Sequence, residues 1–262
     1  MKLICWNVNS VKQRLEHLEA LIKNEDPDLI LLQEIKCETD KFPYMLLDNY
    51  GYNFSVIGQK TFNGVAILSK YPIEEEIKAL PGYAIDDNDE QARFIEIGVT
   101  INKEYWRIIS VYVPNGQSLD SDKYIYKLKF YQRLEKYLAE TNSTEDNLVI
   151  AGDFNVSNEN IDLYDPSKFN NQICFSIKEK KALRNFITNK LIDSYRILNP
   201  DTQKFTWWDY RQNSYSQNKG LRIDYIFPNI QAANKLKSAN ILEKYRQLEK
   251  PSDHAPIEAI SA

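Results

Sequence analysis

The chain has 262 residues, 43% hydrophobic and 27% charged, with a formal net charge of −4 and a pI near 5.4. That balance fits a globular chain able to bury a sizeable core and excludes an overall basic coat for nucleic acid. Three widely spaced cysteines (Cys5, Cys37, Cys174) without a CxxC pair exclude a disulfide framework and a cysteine zinc site. With no basic-then-apolar leader and no long apolar run, a cytoplasmic location and no membrane contact are expected.

Short apolar runs alternate with amphipathic stretches, the rhythm of layered α/β architecture. Leu3 to Trp6 reads as a buried strand. Ser10 with Gln13 forms a capping-box pattern that predicts a helix facing inward through Val11, Leu15, Leu18 and Ile22. Asp28 to Leu32 predicts a second strand. Gly64 to Ser69, Phe94 to Ile101 and Tyr105 to Val113 follow with no helix between them, so hairpins are expected there. A helix is predicted over about 122–141, presenting Tyr124, Leu128, Tyr131 and Leu138, then a strand at Leu148 to Ala151. Ser176 and Glu179 cap another helix carrying Leu183, Phe186 and Ile187. Strands at Ile223 to Phe227 and Pro256 to Ile260 close the chain. Two long loops, roughly 156–175 and 200–221, have the length of functional loops. No linker or repeat interrupts the pattern, which reads as one domain over 1–262.

Charge is uneven along the chain. Between Gln203 and Lys250 stand nine Lys or Arg (204, 211, 219, 222, 235, 237, 244, 246, 250) against four acids (209, 224, 243, 249). By itself such a run is more often a solvated face than a binding site.

The informative pattern is where polar residues interrupt the apolar runs. Runs finish on Trp6-Asn7, Leu32-Gln33-Glu34, Tyr112-Val113-Pro114-Asn115 and Gly152-Asp153-Phe154-Asn155, and others begin at Arg222-Ile223-Asp224 and Ser252-Asp253-His254. In a mixed sheet, strand ends meet the starts of antiparallel neighbours, so all six clusters are expected on one edge. Together they hold four carboxylates (Glu34, Asp153, Asp224, Asp253), three asparagine amides (Asn7, Asn115, Asn155), one phenol (Tyr112) and one imidazole (His254). Such hard oxygen donors suit Mg²⁺ or Mn²⁺ rather than zinc. Hydrolysis of a phosphodiester needs a positioned water, charge neutralisation and help for the departing oxygen, and this inventory supplies all three. Singly, each residue has a plainer reading: an Asp-x-Asn after a strand is usually a turn, and His17 lies off its helix's apolar stripe.

Taken together the blocks resemble the endonuclease/exonuclease/phosphatase superfamily. They are Cys5-Trp6-Asn7-Val8-Asn9, Leu32-Gln33-Glu34-Ile35-Lys36, Asn63-Gly64-Val65-Ala66-Ile67-Leu68, Tyr112-Val113-Pro114-Asn115, Gly152-Asp153-Phe154-Asn155, Gly220-Leu221-Arg222-Ile223-Asp224 and Ser252-Asp253-His254-Ala255-Pro256. Trp207-Trp208-Asp209-Tyr210-Arg211 and the stretch from Glu249 to Pro256 place the likeness with bacterial exonuclease III and its AP-endonuclease relatives. Residues 157–176 do not match.

The resemblance implies a four-layered α/β/β/α sandwich of two packed mixed sheets flanked by helices. It also implies a Mg²⁺-dependent (Mn²⁺ possible) AP endonuclease and 3′→5′ exodeoxyribonuclease of DNA repair, leaving 3′-hydroxyl and 5′-phosphate ends. Its partner would be duplex DNA with abasic sites or blocked 3′ ends, and the chain would act as a monomer. By the same carry-over Glu34 is the principal metal ligand, supported by Asn7 and Asp253, with Asp153, Asn155 and His254 around the ion. Asp153 orients or deprotonates the attacking water, Asn155 holds the phosphate, Tyr112 hydrogen-bonds it, and Asp224 orients His254. A His254–Asp224 base is the alternative to Asp153. Lys36, Arg93, Asn115 and Arg222 are implied DNA contacts, with Trp207 and Leu221 wedged beside an extruded sugar. Asn9 stands where some relatives carry an aspartate, which makes a second metal doubtful. A superfamily phosphatase of phosphoinositide-like esters is the alternative function. The balance among AP cleavage, exonuclease, 3′-phosphatase and RNase H-like activities is open.

Overall fold

The computed structural model describes residues 1–81, 91–142 and 146–262. Its strands in chain order are β1 (Lys2–Asn7), β2 (Leu29–Gln33), β3 (Asn53–Ile57), β4 (Val65–Ser69), β5 (Glu75–Ile77), β6 (Phe94–Ile101), β7 (Glu104–Tyr112), β8 (Asn147–Asp153), β9 (Asp224–Pro228), β10 (Leu236–Ile241) and β11 (Ile257–Ser261). The helices are α1 (Leu15–Glu25), α2 (Tyr44–Leu47), α3 (Asp122–Thr141), α4 (Ile177–Ile187), α5 (Ser194–Leu198) and α6 (Ile230–Ala233).

The strands form two mixed sheets, ordered β10-β11-β1-β2-β4-β3 and β5-β6-β7-β8-β9. Alternation along each strand explains the layering, because successive side chains face opposite ways. Leu3 and Cys5 of β1, with Leu29 and Leu31 of β2, meet Ile97, Ile108 and Val149 between the sheets. Ile4, Trp6, Ile30 and Leu32 point the other way, against Leu18, Leu21 and Ile22 of α1. On the far side, Ile109, Ile150 and Phe227 pack against Phe130, Tyr131 and Leu134 of α3 and Leu183 and Phe186 of α4. Strands buried on both faces read as unbroken apolar runs, which is why they were legible. The four-layered α/β/β/α sandwich is thus present.

Two parallel pairs decide where the site forms. β1 runs parallel to β2 with Asn7 opposite Gln33, and β7 runs parallel to β8 with Tyr112 opposite Asp153. Helices α1 and α3 supply the crossovers that parallel pairing requires. β9 enters antiparallel to β8 with Asp224 opposite Asp153, and β11 is antiparallel to β1. Four strand ends and two strand starts therefore meet at one edge of the sandwich. Gly152 belongs to that geometry: a Cβ there would come within 1.9 Å of the Val111 carbonyl oxygen.

Several expectations are corrected. The Ser10–Gln13 capping box does not form, and α1 begins at Leu15. The amides of Val8, Ser10 and Val11 instead bond to the carbonyls of Gln33, Glu34 and Ile35, holding this stretch against the end of β2 and away from a helix. Leu128 is only half-buried; Lys127 takes the inner position. The Ser176–Glu179 capping box is present as expected. β3, β5 and β10 were not expected, and all three are edge strands, where polar residues replace the apolar run.

Arg222 is the clearest correction. Expected at the DNA, it is 1% exposed, bonding through Nε and Nη2 to Asp162 and through Nη1 and Nη2 to Asp193. It cannot reach a solvent-borne strand. Its work is to tie the loop after β8 and the start of α5 to the chain entering β9. Removing it leaves the fully buried Asp162 carboxylate with Arg196, at 2.7 Å, as its one remaining guanidinium, and deprives Asp193 of its ion-pair partner, so Arg222→Met should lower unfolding free energy by about 2 kcal/mol. Urea titration followed by tryptophan fluorescence checks this; a loss below about 1 kcal/mol would refute it.

Candidate active site

The six polar clusters converge as the strand-end argument requires. Asn7 is fully buried at the end of β1, and its Nδ2 donates to Glu34 Oε1 at 2.8 Å and to Asp153 Oδ2 at 3.0 Å. One amide thus bridges carboxylates from the two sheets. Asp153 Oδ2 also accepts from Asn155 Nδ2 at 3.0 Å, and its Oδ1 accepts from the Asn155 amide at 2.9 Å. Asn115 Nδ2 donates to Asn155 Oδ1 at 2.9 Å. His254 sits on the opposite wall, its Nδ1 2.9 Å from Asp224 Oδ2 and its Nε2 3.8 Å from Asp153 Oδ2. The Ser252 hydroxyl donates to the Asn7 carbonyl and Trp6 Nε1 donates to the His254 carbonyl, locking the last cluster onto the first.

The backbone is strained where the ligands sit. Glu34, Asn9 and Asn155 have φ values of 50°, 45° and 53°, in the left-handed region. Each costs of order 1 kcal/mol, held in place by the surrounding bonds.

Electrostatics follow from burial. Asp153 is pushed well above the usual carboxylate range by burial, against the pull of His254, with Asp224 and Glu34 adding to the rise. Burial would lower His254, but Asp224 and then Asp153 outweigh it and hold the imidazole protonated. Burial also acts to raise Glu34, yet the Lys36 ammonium at 2.8 Å and the Asn7 amide bring it below the ordinary value. Tyr112 is raised by burial and by the charges of Glu34 and Asp153, so it stays a donor.

Oxygen and imidazole donors of Glu34, Asp153 and His254 lie within 4.8 Å of one another. The donor set fits a hard divalent cation, since Glu34 and Asp153 offer carboxylate oxygens and the nitrogen donor among the three is one imidazole, while the Asn7 oxygen is turned to the Asn9 amide. Asp253 stands at the rim, its Oδ1 accepting from Asn9 Nδ2 and its Oδ2 from Trp207 Nε1, both at 2.9 Å. Above these groups opens a cavity of about 490 Å³ reached by Tyr112, Asn115, Trp207 and Leu221.

The other expected contacts fall unequally. Lys36 is half-buried beside Glu34 and Asn9, so its charge faces the ligands first. Arg93 lies over the Tyr112 ring at 4.6 Å and donates to the Tyr112 carbonyl, lining a neighbouring cavity of about 590 Å³. Trp207 is half-buried, paired through its backbone with Leu221 and His254. Leu221 is 3% exposed yet lines the cavity floor. The basic 203–250 segment is largely neutralised: Lys204, Arg211, Arg222, Lys235, Lys244 and Lys250 each lie against a carboxylate.

Sequence reasoning missed the cavity residues Phe169, Ile173 and Cys174, which come from the unmatched 157–176 loop. It missed Arg14 too, whose guanidinium bonds to the carbonyls of Asn9 and Pro251 and joins the first cluster to the last. Nothing local marks these residues; only the path of the chain does.

The profile of the Endonuclease/Exonuclease/phosphatase family matches residues 4–254. A relative from Haemophilus influenzae named exodeoxyribonuclease III is 36% identical over 98% of both chains, and a Bacillus subtilis exodeoxyribonuclease is 30% identical over 99% of both. Among solved structures, a 3′ phosphatase, NExo, from Neisseria bound to a product DNA hairpin superposes with a TM-score of 0.94 at 36% identity, covering 100% of this chain and 99% of that one. An AP endonuclease from Archaeoglobus fulgidus gives 0.91 at 32%, with the same coverage. The chain belongs to the Endonuclease/Exonuclease/phosphatase family, in its exodeoxyribonuclease III and AP-endonuclease group of metal-dependent hydrolases.

Proposed function

We propose that this chain is a Mg²⁺-dependent nuclease of DNA repair that cleaves duplex DNA at abasic sites and trims its 3′ ends. The observation that carries the reading is the Asn7 amide joining Glu34 and Asp153 beneath an open cavity, with the hydrogen-bonded His254–Asp224 pair facing them. Names borne by the relatives, exodeoxyribonuclease and AP endonuclease, support the substrate class.

The roles follow from what each atom can do. Asp153, its lone pairs aimed by Asn7 and Asn155, takes the proton of the attacking water. Tyr112 and the imidazolium of His254 donate to the phosphate oxygens as negative charge grows there. Asn115 presents its amide to the same phosphate, held by Asn155, whose own Nδ2 is engaged by Asp153 and the Val113 carbonyl. Breaking the P–O3′ bond releases the 3′ oxygen, which takes a proton from solvent to become a 3′-hydroxyl, and leaves the phosphate on the 5′ side of the downstream nucleotide. Glu34, with Asn7 and Asp253 beside it, would hold Mg²⁺ or Mn²⁺, which when bound supplies charge neutralisation at the transferring phosphoryl group. Asn115, Arg93 and Lys36 would meet the strand, and Trp207 with Leu221 would shape the pocket for an extruded sugar.

The reading extends to a single domain over 1–262 working as a monomer in the cytoplasm. The three cysteines are buried and unpaired, which suits a reducing compartment. Among the described residues no helix is long and apolar enough to cross a membrane.

The test uses three duplexes: one with a tetrahydrofuran abasic analogue, one with a plain 3′ end and one with a 3′-phosphate. The expected result is a nick 5′ to the analogue and processing of the 3′ ends with Mg²⁺, all abolished by EDTA. Hydrolysis of a phosphoinositide without action on any duplex would overturn the proposal.

A further inference from the structure

Helix α3 carries a lysine where an apolar residue would be expected. Lys127 and its partner Glu179 are both 0% exposed. Burying an ammonium among Phe130, Tyr131 and other core groups is costly unless each of its donors is matched. Here all three are. Lys127 Nζ donates to Glu179 Oε1 at 2.5 Å, to the Asn155 carbonyl at 2.8 Å and to the Asn115 carbonyl at 3.0 Å. Two of the three acceptors are thus backbone oxygens of Asn115, whose amide faces the reacting phosphate in the proposed mechanism, and of Asn155, whose amide aims Asp153.

The rest of the network points the same way. One turn along α3, Tyr131 Oη donates to the Phe154 carbonyl at 2.6 Å, so the helix grips two successive peptides after β8. Asn155 has a φ of 53°, which an L-residue leaves unless it is held. Glu179 also accepts from the amides of Cys174 and Ser176, tying in the loop whose Ile173 and Cys174 line the cavity. Gly116 packs on the lysine stem: a Cβ there would lie 3.2 Å from Lys127 Cδ.

We propose that Lys127 is a positioning residue for the phosphodiesterase reaction, its buried ammonium fixing the peptides of Asn115 and Asn155 so that the Asn115 carboxamide and the Asp153 carboxylate that Asn155 aims meet the phosphate in register. This rests on the nuclease reading above. The plain competing account is a buried ion pair that only stabilises the fold.

The double substitution Lys127→Met/Glu179→Gln separates the two. It removes both charges, strands neither, and keeps an acceptor for the Ser176 cap, so a purely structural pair would be lost with little consequence for the active folded fraction. Positioning predicts a folded protein with kcat reduced about 30- to 100-fold and KM within about threefold, since small misplacements of catalytic groups have effects of that size. Should this variant not fold, Lys127→Gln/Glu179→Gln, which leaves a shorter neutral donor, takes the same readings. A folded variant with wild-type kcat overturns the proposal. Wild-type turnover on the abasic duplex is measured alongside: its absence would defeat the nuclease reading, whereas an active wild type with an equally active variant defeats only the role of Lys127.

Discussion

Asp153→Asn should lower single-turnover cleavage of an abasic duplex by about 10³-fold, the scale of a lost general base, while duplex affinity stays within a few-fold of wild type. The substitution preserves shape but not polarity. Asp153 accepts from Asn7 and Asn155 side-chain amides at one oxygen and from the Asn155 backbone at the other. An asparagine can satisfy only one of those two positions, and it cannot take a proton from water. Stability should change little, because the carboxylate replaced is one that burial and two neighbouring acids already disfavour. Fluorescence anisotropy with Ca²⁺ or EDTA measures binding apart from chemistry. Near-normal turnover would move the base to the His254–Asp224 pair, whose 2.9 Å contact makes it the other candidate.

Glu34→Ala should act through the metal rather than the proton. The carboxylate sits on a strained backbone with one oxygen held by Asn7 and the other facing Lys36. Deleting it leaves Lys36 as an uncompensated positive charge beside the cation site. Affinity for Mn²⁺ in a calorimetric titration should therefore fall by at least about 10²-fold, more than a supporting ligand typically contributes. Cleavage at low Mg²⁺ should fall with it and recover in part at high Mg²⁺ or Mn²⁺. Unchanged Mn²⁺ affinity would remove Glu34 from the metal site.

The two substitutions differ in their signatures. Asp153→Asn is predicted to resist rescue by metal, and Glu34→Ala to yield to it. Finding the reverse would exchange their roles.

The strands that build the two inner faces and the two long outer helices could be read from local pattern, because burial on both faces leaves a continuous apolar run and α3 and α4 keep helical spacing. Edge strands β3, β5 and β10 escaped because solvent on one side relaxes that pattern. Asn7, Glu34, Asp153, Asp224 and His254 were recognisable since each interrupts or abuts an apolar run, a place where a polar group has a cost and needs a reason. The pairing of Asn7 with acids from both sheets was not recognisable, because it depends on how one sheet lies on the other.

What the amino-acid order alone determined was the layered α/β class, the set of oxygen donors and their position at strand termini, all of which are properties of neighbours in the chain. Tertiary structure decided everything that depends on who is buried against whom. It withdrew Arg222 from the surface by giving it Asp162 and Asp193, neutralised most of the basic 203–250 stretch, and refused a helix at Ser10 by pairing that backbone with β2. It also drew Lys127 inward to hold two peptides of the site. A charge in sequence carries no record of its partner, and the free energy of a buried ion is set by that partner and by the loss of water, both of which exist only once the chain has folded.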